Sequence, residues 1–519
     1  MQQIAMLDWT ICIGYLTVVI SLGVYFSNKQ KNNDSYFLGD RNMHWIPVGL
    51  SLFATTFSSN SFVGLPAEGA YGDYHQLLAI LFIPFVVIPI TCIWFIPFYK
   101  GLGFTSLYEY LEHRFSRRVR LLASLIFMVY SAGWMGTMLL AVAKILDVVL
   151  KTESTGQTLA VIVIVGLLAT LYTAMGGVKA VIWTDAIQAF ALAGGMCFLL
   201  WLLLSNIDGG WAAFRTLGSD GGKFDMFHTE GGLAEHNLFS ACAYGFFIYM
   251  GGQLAAYGSF QRYVTVDSVN DARKALIVKA GFTIVSCTLF FLVGSALYVY
   301  YQQSHVDLFA EYSAGKNKDL LLPHFVINFS GGYGMTGLLL AGLFAAAMSS
   351  LDSGINSMAA SLVNDWLNGR EVGLAVNRWL TIAFGMGVIL IACLLSRIDS
   401  PVFSILLSIA GATLGMLLAV LMMGMLVPRA NTVGVVFGMV AGLVVVCLIR
   451  LVLPMLDPAT LQWLGPLAGL KDNTWWDGMF TTISVVAIGL PVSWLTAPSP
   501  EEALRGLLLV PRSPGGADD

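Results

Sequence analysis

Two aspartates stand out because of the company they keep. Asp185 lies in Trp183-Thr184-Asp185-Ala186-Ile187-Gln188, shortly after Gly176-Gly177. Asp352 lies in Ala345-Ala346-Ala347-Met348-Ser349-Ser350-Leu351-Asp352-Ser353-Gly354-Ile355-Asn356-Ser357. Both sit inside apolar or small-residue stretches, where a carboxylate at mid-membrane costs ~2.5–3.5 kcal/mol on insertion scales and so usually has a task. Ala346, Ser349, Asp352 or Ser353, and Asn356 follow i, i+3, i+6/i+7 and i+10, one stripe of a helix. That stripe offers hydroxyl, carboxylate and amide oxygens, the donors a hard monovalent cation needs in place of water. A second polar run, Ala54-Thr55-Thr56-Phe57-Ser58-Ser59-Asn60-Ser61 followed by Gly64 and Pro66, marks a helix that breaks midway and frees carbonyl oxygens for such an ion. The competing reading of these residues is a polar helix–helix contact, with Asp352 neutral or paired.

The elements that must hold these groups follow from composition. The 519 residues are 57% hydrophobic and 11% charged, with mean hydropathy +0.75, against roughly 25% charged residues in a soluble domain. The fold class is therefore an all-α polytopic membrane protein, which excludes a soluble enzyme, a nucleic-acid binder, a disulfide scaffold and a disordered chain. About thirteen spans are expected, near 7–27, 44–65, 75–99, 120–148, 157–175, 178–205, 239–258, 274–303, 335–363, 378–397, 401–427, 432–453 and 474–496. With the N-terminus outside, inner segments hold 17 Lys and Arg and outer segments 9, so the basic-residue bias favours an external N-terminus and a cytoplasmic C-terminus. Spans 2 and 7 each carry small or polar residues midway, Gly251-Gly252-Gln253 in the latter, and lie five spans apart. Residues 44–205 and 239–427 are thus expected to form two inverted repeats within a single transmembrane domain, residues 1–496, with a disordered cytoplasmic tail over 497–519.

Other residue types say less. The net charge of −4 implies no electrostatic partner. The seven cysteines lie in apolar blocks without metal spacing, and the seven histidines sit in loops or at helix ends with no cluster in the sequence. No constellation suggests catalysis, and no organic cofactor is expected.

On the motifs quoted above the chain resembles the sodium:solute symporter family, most nearly its bacterial sialic-acid and sugar-type members. Phe53-Ala54-Thr55-Thr56-Phe57-Ser58-Ser59, Gln261-Arg262-Tyr263 and Gly294-Ser295-Ala296-Leu297-Tyr298 add to the match, which covers about residues 7–430. The resemblance implies a LeuT-type 5+5 inverted repeat with one extra helix before it and two after it. It implies a Na⁺ site at the carbonyls of Ala54, Phe57 and Ala346 and the hydroxyls of Ser349 and Ser350. A second cation site would use Asp185, Ser349, Asp352 and Ser353, with Asp352 standing where sialic-acid transporters carry Ser. It also implies a substrate region at Thr56, Ser58 and Ser61. Trp134 replaces the Arg with which the sialic-acid branch grips a carboxylate, and either stacks on the solute or packs. The branch's Gln on span 3 falls on an apolar residue near Ile80 or Leu81. Lys279 lies one turn from Thr283, where sugar-carrying relatives have Lys, and reads as facing the cytoplasmic end of its span.

The resemblance implies Na⁺-coupled uptake of a small polar organic solute by alternating access, with the lipid bilayer as surroundings, no nucleic-acid partner, and a monomer as the working unit in a plasma or bacterial inner membrane. A proton-coupled symporter through Asp185 and Asp352 is the alternative, and a membrane-embedded solute sensor a more distant one.

Overall fold

In the computed structural model, residues 6–27, 34–150, 154–314, 318–329, 334–367, 372–397, 402–500 and 504–509 are described. Among them the secondary structure is entirely helical. The helices that matter here are α1 (Met6–Ser27), α2 (Trp45–Thr56), α3 (Ser59–Tyr71), α4 (His75–Leu102), α5 (Leu107–Arg114), α6 (Arg117–Leu150), α7 (155–176) and α8 (178–206). There follow α9 (Leu238–Leu254), α10 (Tyr257–Thr265), α11 (Val269–Ser304), α12 (Met335–Ser361), α13 (Leu374–Leu395), α14 (Val402–Leu426), α15 (Thr432–Cys447) and α16 (Asp477–Leu495).

The expected break in span 2 is present. α2 ends at Thr56, Phe57 (φ −97°, ψ 111°) and Ser58 (φ −110°, ψ 177°) are extended, and α3 starts at Ser59. The local cause is visible in the side chains. Thr55 Oγ1 and Thr56 Oγ1 donate back to the carbonyls of Ser51 and Leu52, at 2.8 and 2.9 Å, a hydroxyl habit that competes with the helical ladder. The matching break in span 7 falls between α9 and α10, which meet at a bend of 54°.

α7 and α8 are continuous in chain but reverse at Gly177 (φ 58°, ψ −174°), a backbone region open mainly to glycine. Tyr172 Oη and Thr184 Oγ1, twelve residues apart, are 3.4 Å from each other, a distance only a hairpin allows, since twelve residues of straight helix span ~18 Å.

Ten helices are long and apolar enough to cross a membrane among the described residues, eleven if the bent α9–α10 pair is one span. The expected thirteen is not reached by this measure. Neither half of the broken span 2 qualifies alone, and 155–206 counts once although it doubles back.

α12 lies at the centre. Nearly all its residues are buried, and it packs against both α2 and α3 as well as α6, α8 and α13. α3 and α11 come close enough that a Cβ on Gly294 would stand 2.3 Å from the Pro66 carbonyl oxygen. The tail departs from its expected disorder where it is described. Tyr110 Oη donates to the Leu507 carbonyl at 3.0 Å, Leu509 N donates to Met425 O at 2.8 Å, and Leu507 is buried. Its leucines bury apolar surface against α5 and α14, which the polar ends of the tail obscure in sequence; residues 510–519 lie outside the described residues.

Candidate cation and solute site

The break in span 2 removes the amide donors that the carbonyls of Ala54, Thr55 and Thr56 would meet in a continuous helix. α12 supplies what faces them. Ser349 Oγ lies 3.2 Å from Ala54 O and 3.2 Å from Ala346 O, so three of the five expected Na⁺ ligands are in one place. Ser350 Oγ is buried and makes no hydrogen bond. Phe57 is buried and its backbone is extended, which takes its carbonyl out of the helical ladder. An unpartnered buried hydroxyl costs about 1–3 kcal/mol, and a cation at this spot would remove that cost. The donor set consists of neutral oxygens alone, which suits a hard monovalent ion.

The break in span 7 is built differently. The carbonyls of Gly252, Gln253, Leu254 and Ala255 accept from Ser259 Oγ (2.9 Å), Tyr263 Oη (3.0 Å), Tyr99 Oη (2.9 Å) and Tyr108 Oη (2.9 Å). Its freed acceptors are already satisfied by protein hydroxyls, so this break offers no comparable cation site.

The expected second cation site contains a partner that sequence reasoning did not assign to it. Arg262, from α10, is fully buried. Its Nε donates to Ser51 Oγ (2.7 Å), its Nη1 to Gly258 O (3.0 Å), and its Nη2 to Ser353 Oγ (2.5 Å) and Asp185 Oδ2 (3.3 Å). Ser51 Oγ also donates to Asp185 Oδ2 at 2.6 Å. Ser353 Oγ lies 3.4 Å from Asp352 Oδ1. Asp185, Asp352 and Ser353 are thereby joined around the guanidinium, whereas Ser349 points to the first site. Asp185 Oδ1 and Asp352 Oδ2 are buried without hydrogen-bond partners. Asp185 pairs directly with the guanidinium and Asp352 reaches it only through the Ser353 hydroxyl, so full ionisation leaves one buried negative charge, a costly state without a further cation. Arg262 was visible in sequence only as part of a family motif, with no spacing that linked it to Asp185.

Two cavities meet at the first break. The larger has a water-accessible volume of about 140 Å³ and extends toward the end of the bundle where α6 begins, past Phe127, Tyr130, Gln253, Ser353 and Lys279. The smaller extends the other way, past Ser58, Asn60, Ser61 and Gln76. Thr56, Ile83, Trp134, Tyr244 and Tyr249 line both. All four expected substrate residues, Thr56, Ser58, Ser61 and Trp134, therefore line the smaller cavity. Ser58 Oγ is buried there without a partner. Trp134 lies 5.8 Å from the Tyr130 ring and lines both cavities, so its indole is within reach of a solute there. Gln76, one turn before Ile80 on α4, lines the smaller cavity.

Lys279 corrects the sequence reading. It does not reach for the end of its span but is 4% exposed and lines the larger cavity. Its Nζ donates to Gln253 Oε1 at 2.7 Å, and Gln253 Nε2 in turn donates to Tyr263 Oη. Among the described residues no carboxylate lies within ion-pair distance of Lys279, and it is the one charged side chain lining either cavity. The signal that could have found it is a Lys about a turn and a half inside the apolar span 274–303, a weaker form of the signal that singled out the aspartates.

Residues 36–442 match the sodium:solute symporter family. The sodium/sialic acid symporter NanT of Aliivibrio fischeri is 31% identical over 512 residues, covering 96% of this chain and 94% of that protein. The human sodium/iodide cotransporter is 30% identical over 464 residues, covering 84% of this chain and 68% of that one. A solved Na⁺-coupled sialic acid symporter, substrate-bound and outward-open, superposes with TM-score 0.83 at 29% identity over 96% of this chain and all of that one. The match, the broken helices and the cation-ready oxygens between α2 and α12 agree. The chain belongs to the sodium:solute symporter family and is a multi-pass, LeuT-type transporter that couples Na⁺ to the movement of a small organic solute.

Proposed function

We propose that the solute is a small organic anion, carried inward with Na⁺ held by the carbonyls of Ala54, Phe57 and Ala346 and the hydroxyls of Ser349 and Ser350. The observation that carries the ion reading is the buried, unpartnered Ser350 hydroxyl beside the Ser349–Ala54 contact at a helix break. The solute sits across Thr56, Ser58 and Ser61 with a ring or glycosyl face on Trp134, and its negative group turns toward Lys279 and Gln253. Support for an anion comes from the Lys279 amino group, the one basic side chain in a cavity with no carboxylate lining, where an anion would stabilise its protonated form. It also comes from the relatives, whose names specify sialic acid, monocarboxylates and iodide. The positive end of α3 faces the same space, where half-helix N-termini attract anionic groups.

The second cation, at Asp185, Asp352 and Ser353 beside Arg262, neutralises the excess carboxylate charge and is either Na⁺ or a proton. With the N-terminus outside and the C-terminus in the cytoplasm, the larger cavity is on the cytoplasmic half, which makes this the inward-facing form. One chain contains the whole path, so a monomer suffices, with the exposed apolar side chains of its outer helices in lipid.

Proteoliposomes with an inward Na⁺ gradient test the solute reading with the organic anions N-acetylneuraminate, lactate and pyruvate. Uptake of one of these above a K⁺ control, lost in Lys279→Met, is the expected result. A neutral sugar or polyol driven equally well by Na⁺ in both the parent chain and Lys279→Met would contradict it.

A further inference from the structure

Two of the seven histidines that look scattered in sequence, His75 and His228, are brought together at the end of the bundle away from the basic 114–120 region. His75 opens α4, and Asp73 stands in the turn just before it. Asp225 and His228 come from the segment between residue 221 and α9. His75 Nδ1 is 2.6 Å from Asp73 Oδ1. His228 Nδ1 is 3.9 Å from Asp73 Oδ2 and 3.8 Å from Asp225 Oδ2. The two imidazoles meet edge to face with centroids 3.8 Å apart. One ligand atom from each of Asp73, His75 and His228 lies within 4.8 Å of the other two.

We propose that Asp73, His75 and His228 form a binding site for a divalent transition metal of the zinc type. Three observations carry it. First, His75 is 1% exposed and its Nε2 has no hydrogen-bond partner, so a buried ring nitrogen is left unused. Second, the 3.9 Å from His228 Nδ1 to Asp73 Oδ2 is too long for a hydrogen bond and about 0.5 Å wider than the ~3.3–3.4 Å edge of a tetrahedron built on zinc-to-ligand bonds of ~2.0–2.1 Å. Third, the backbones that carry the donors are already tied together. Tyr74 N donates to Asp225 O at 2.8 Å, and Lys223 Nζ donates to Gly72 O at 3.0 Å. Binding therefore needs little more than side-chain adjustment.

The donor set selects the ion. Two imidazoles and a carboxylate with an open fourth position suit Zn²⁺, whereas Mg²⁺ and Na⁺ favour oxygens throughout. Asp225, beside His228, balances the remaining positive charge. None of the four residues lines either cavity, so the site stands apart from the Na⁺ and solute path. An ion here staples the α3–α4 turn of the first repeat to the segment that leads into the second.

The test uses the purified full chain and Zn²⁺ alone, with Mg²⁺ alone as control, read by calorimetric titration and by melting temperature. The expected result is one saturable Zn²⁺ site that raises the melting temperature, absent with Mg²⁺. Zn²⁺ affinity should fall at least tenfold in both His228→Ala and Asp73→Asn. The Asn keeps an oxygen able to accept from His75 N as Asp73 Oδ1 does at 2.9 Å, and His228 is partly exposed, so both variants can fold. Equal melting temperatures of the metal-free chains confirm that they do. Absence of saturable Zn²⁺ binding in the parent chain, or an affinity unchanged in both variants, would overturn the proposal.

Discussion

At the residue scale, the account turns on polar atoms that the fold buries and leaves unsatisfied. Ser350 Oγ, Ser58 Oγ, Asp185 Oδ1 and Asp352 Oδ2 are four such atoms along the path. Polar groups buried without partners are few in native proteins, and these four stand at the proposed cation and solute sites. Asp352 is the most informative. Replacing it with Asn is expected to lower the Na⁺ Hill coefficient of transport if the second cation is Na⁺, or to flatten the pH profile at fixed Na⁺ if it is a proton. Parallel uptake curves over Na⁺ and pH read both, and a variant unchanged in both would make Asp352 purely structural. The aspartates and serines could be found in sequence because a charge or hydroxyl run inside an apolar span is conspicuous. Arg262 and Lys279 were harder. A Lys or Arg near a span end ordinarily reaches for the interface, and nothing local in the chain shows that Lys279 turns inward to Gln253 or that Arg262 reaches Ser51 and Asp185.

At the element scale, two broken helices do unequal work. The α2–α3 break leaves backbone acceptors to a ligand, whereas tyrosine and serine hydroxyls close off the α9–α10 break. Both breaks were legible from their small and polar residues, but the difference between them was not. The hydroxyls of Tyr99 and Tyr108 that cap the second break come from more than 140 residues away. Span limits were also readable from apolar length, and the reversal at Gly177 falls between the expected spans 157–175 and 178–205, whereas the packed part of the tail depends on tertiary contacts. α3, the second half of the broken span, packs closely on α11 at Pro66 and Gly69. Gly294→Val is expected to force these helices apart, since its Cβ would meet Pro66 O at 2.3 Å. Overpacking of this kind costs about 1–3 kcal/mol. A thermal melt should show that loss together with weakened Na⁺ stabilisation, and a melt identical to the parent chain would refute the tight contact.

At the scale of the whole molecule, the coupling energy is sufficient. One Na⁺ moving down ~100 mV yields about 2.3 kcal/mol, and a tenfold gradient adds about 1.4 kcal/mol. For a univalent anion, whose own charge costs about 2.3 kcal/mol against the same potential, one ion therefore supports about one decade of solute accumulation and two support just under four, at tight coupling. The direction depends on orientation. A fluorescent-protein fusion at the C-terminus should fluoresce, and an alkaline-phosphatase fusion there should be silent, if the C-terminus is cytoplasmic; the reverse pattern would invert the topology. The histidine cluster belongs to this scale too. His75 and His228 are 153 positions apart in the chain, so their meeting is a product of the assembled bundle and could not be read from spacing.

The central claim is that a Na⁺ ion bridges the interrupted second span and α12. Its most direct measurement is the melting temperature of purified protein titrated with Na⁺ at fixed pH and ionic strength, with K⁺ replacing Na⁺, for the parent chain and for Ser350→Ala. The account predicts saturable stabilisation by Na⁺ but not K⁺ in the parent chain, and a Na⁺ midpoint at least tenfold higher in Ser350→Ala, a loss of about 1.4 kcal/mol in ion binding. Superimposable Na⁺ titrations of the two proteins would contradict it.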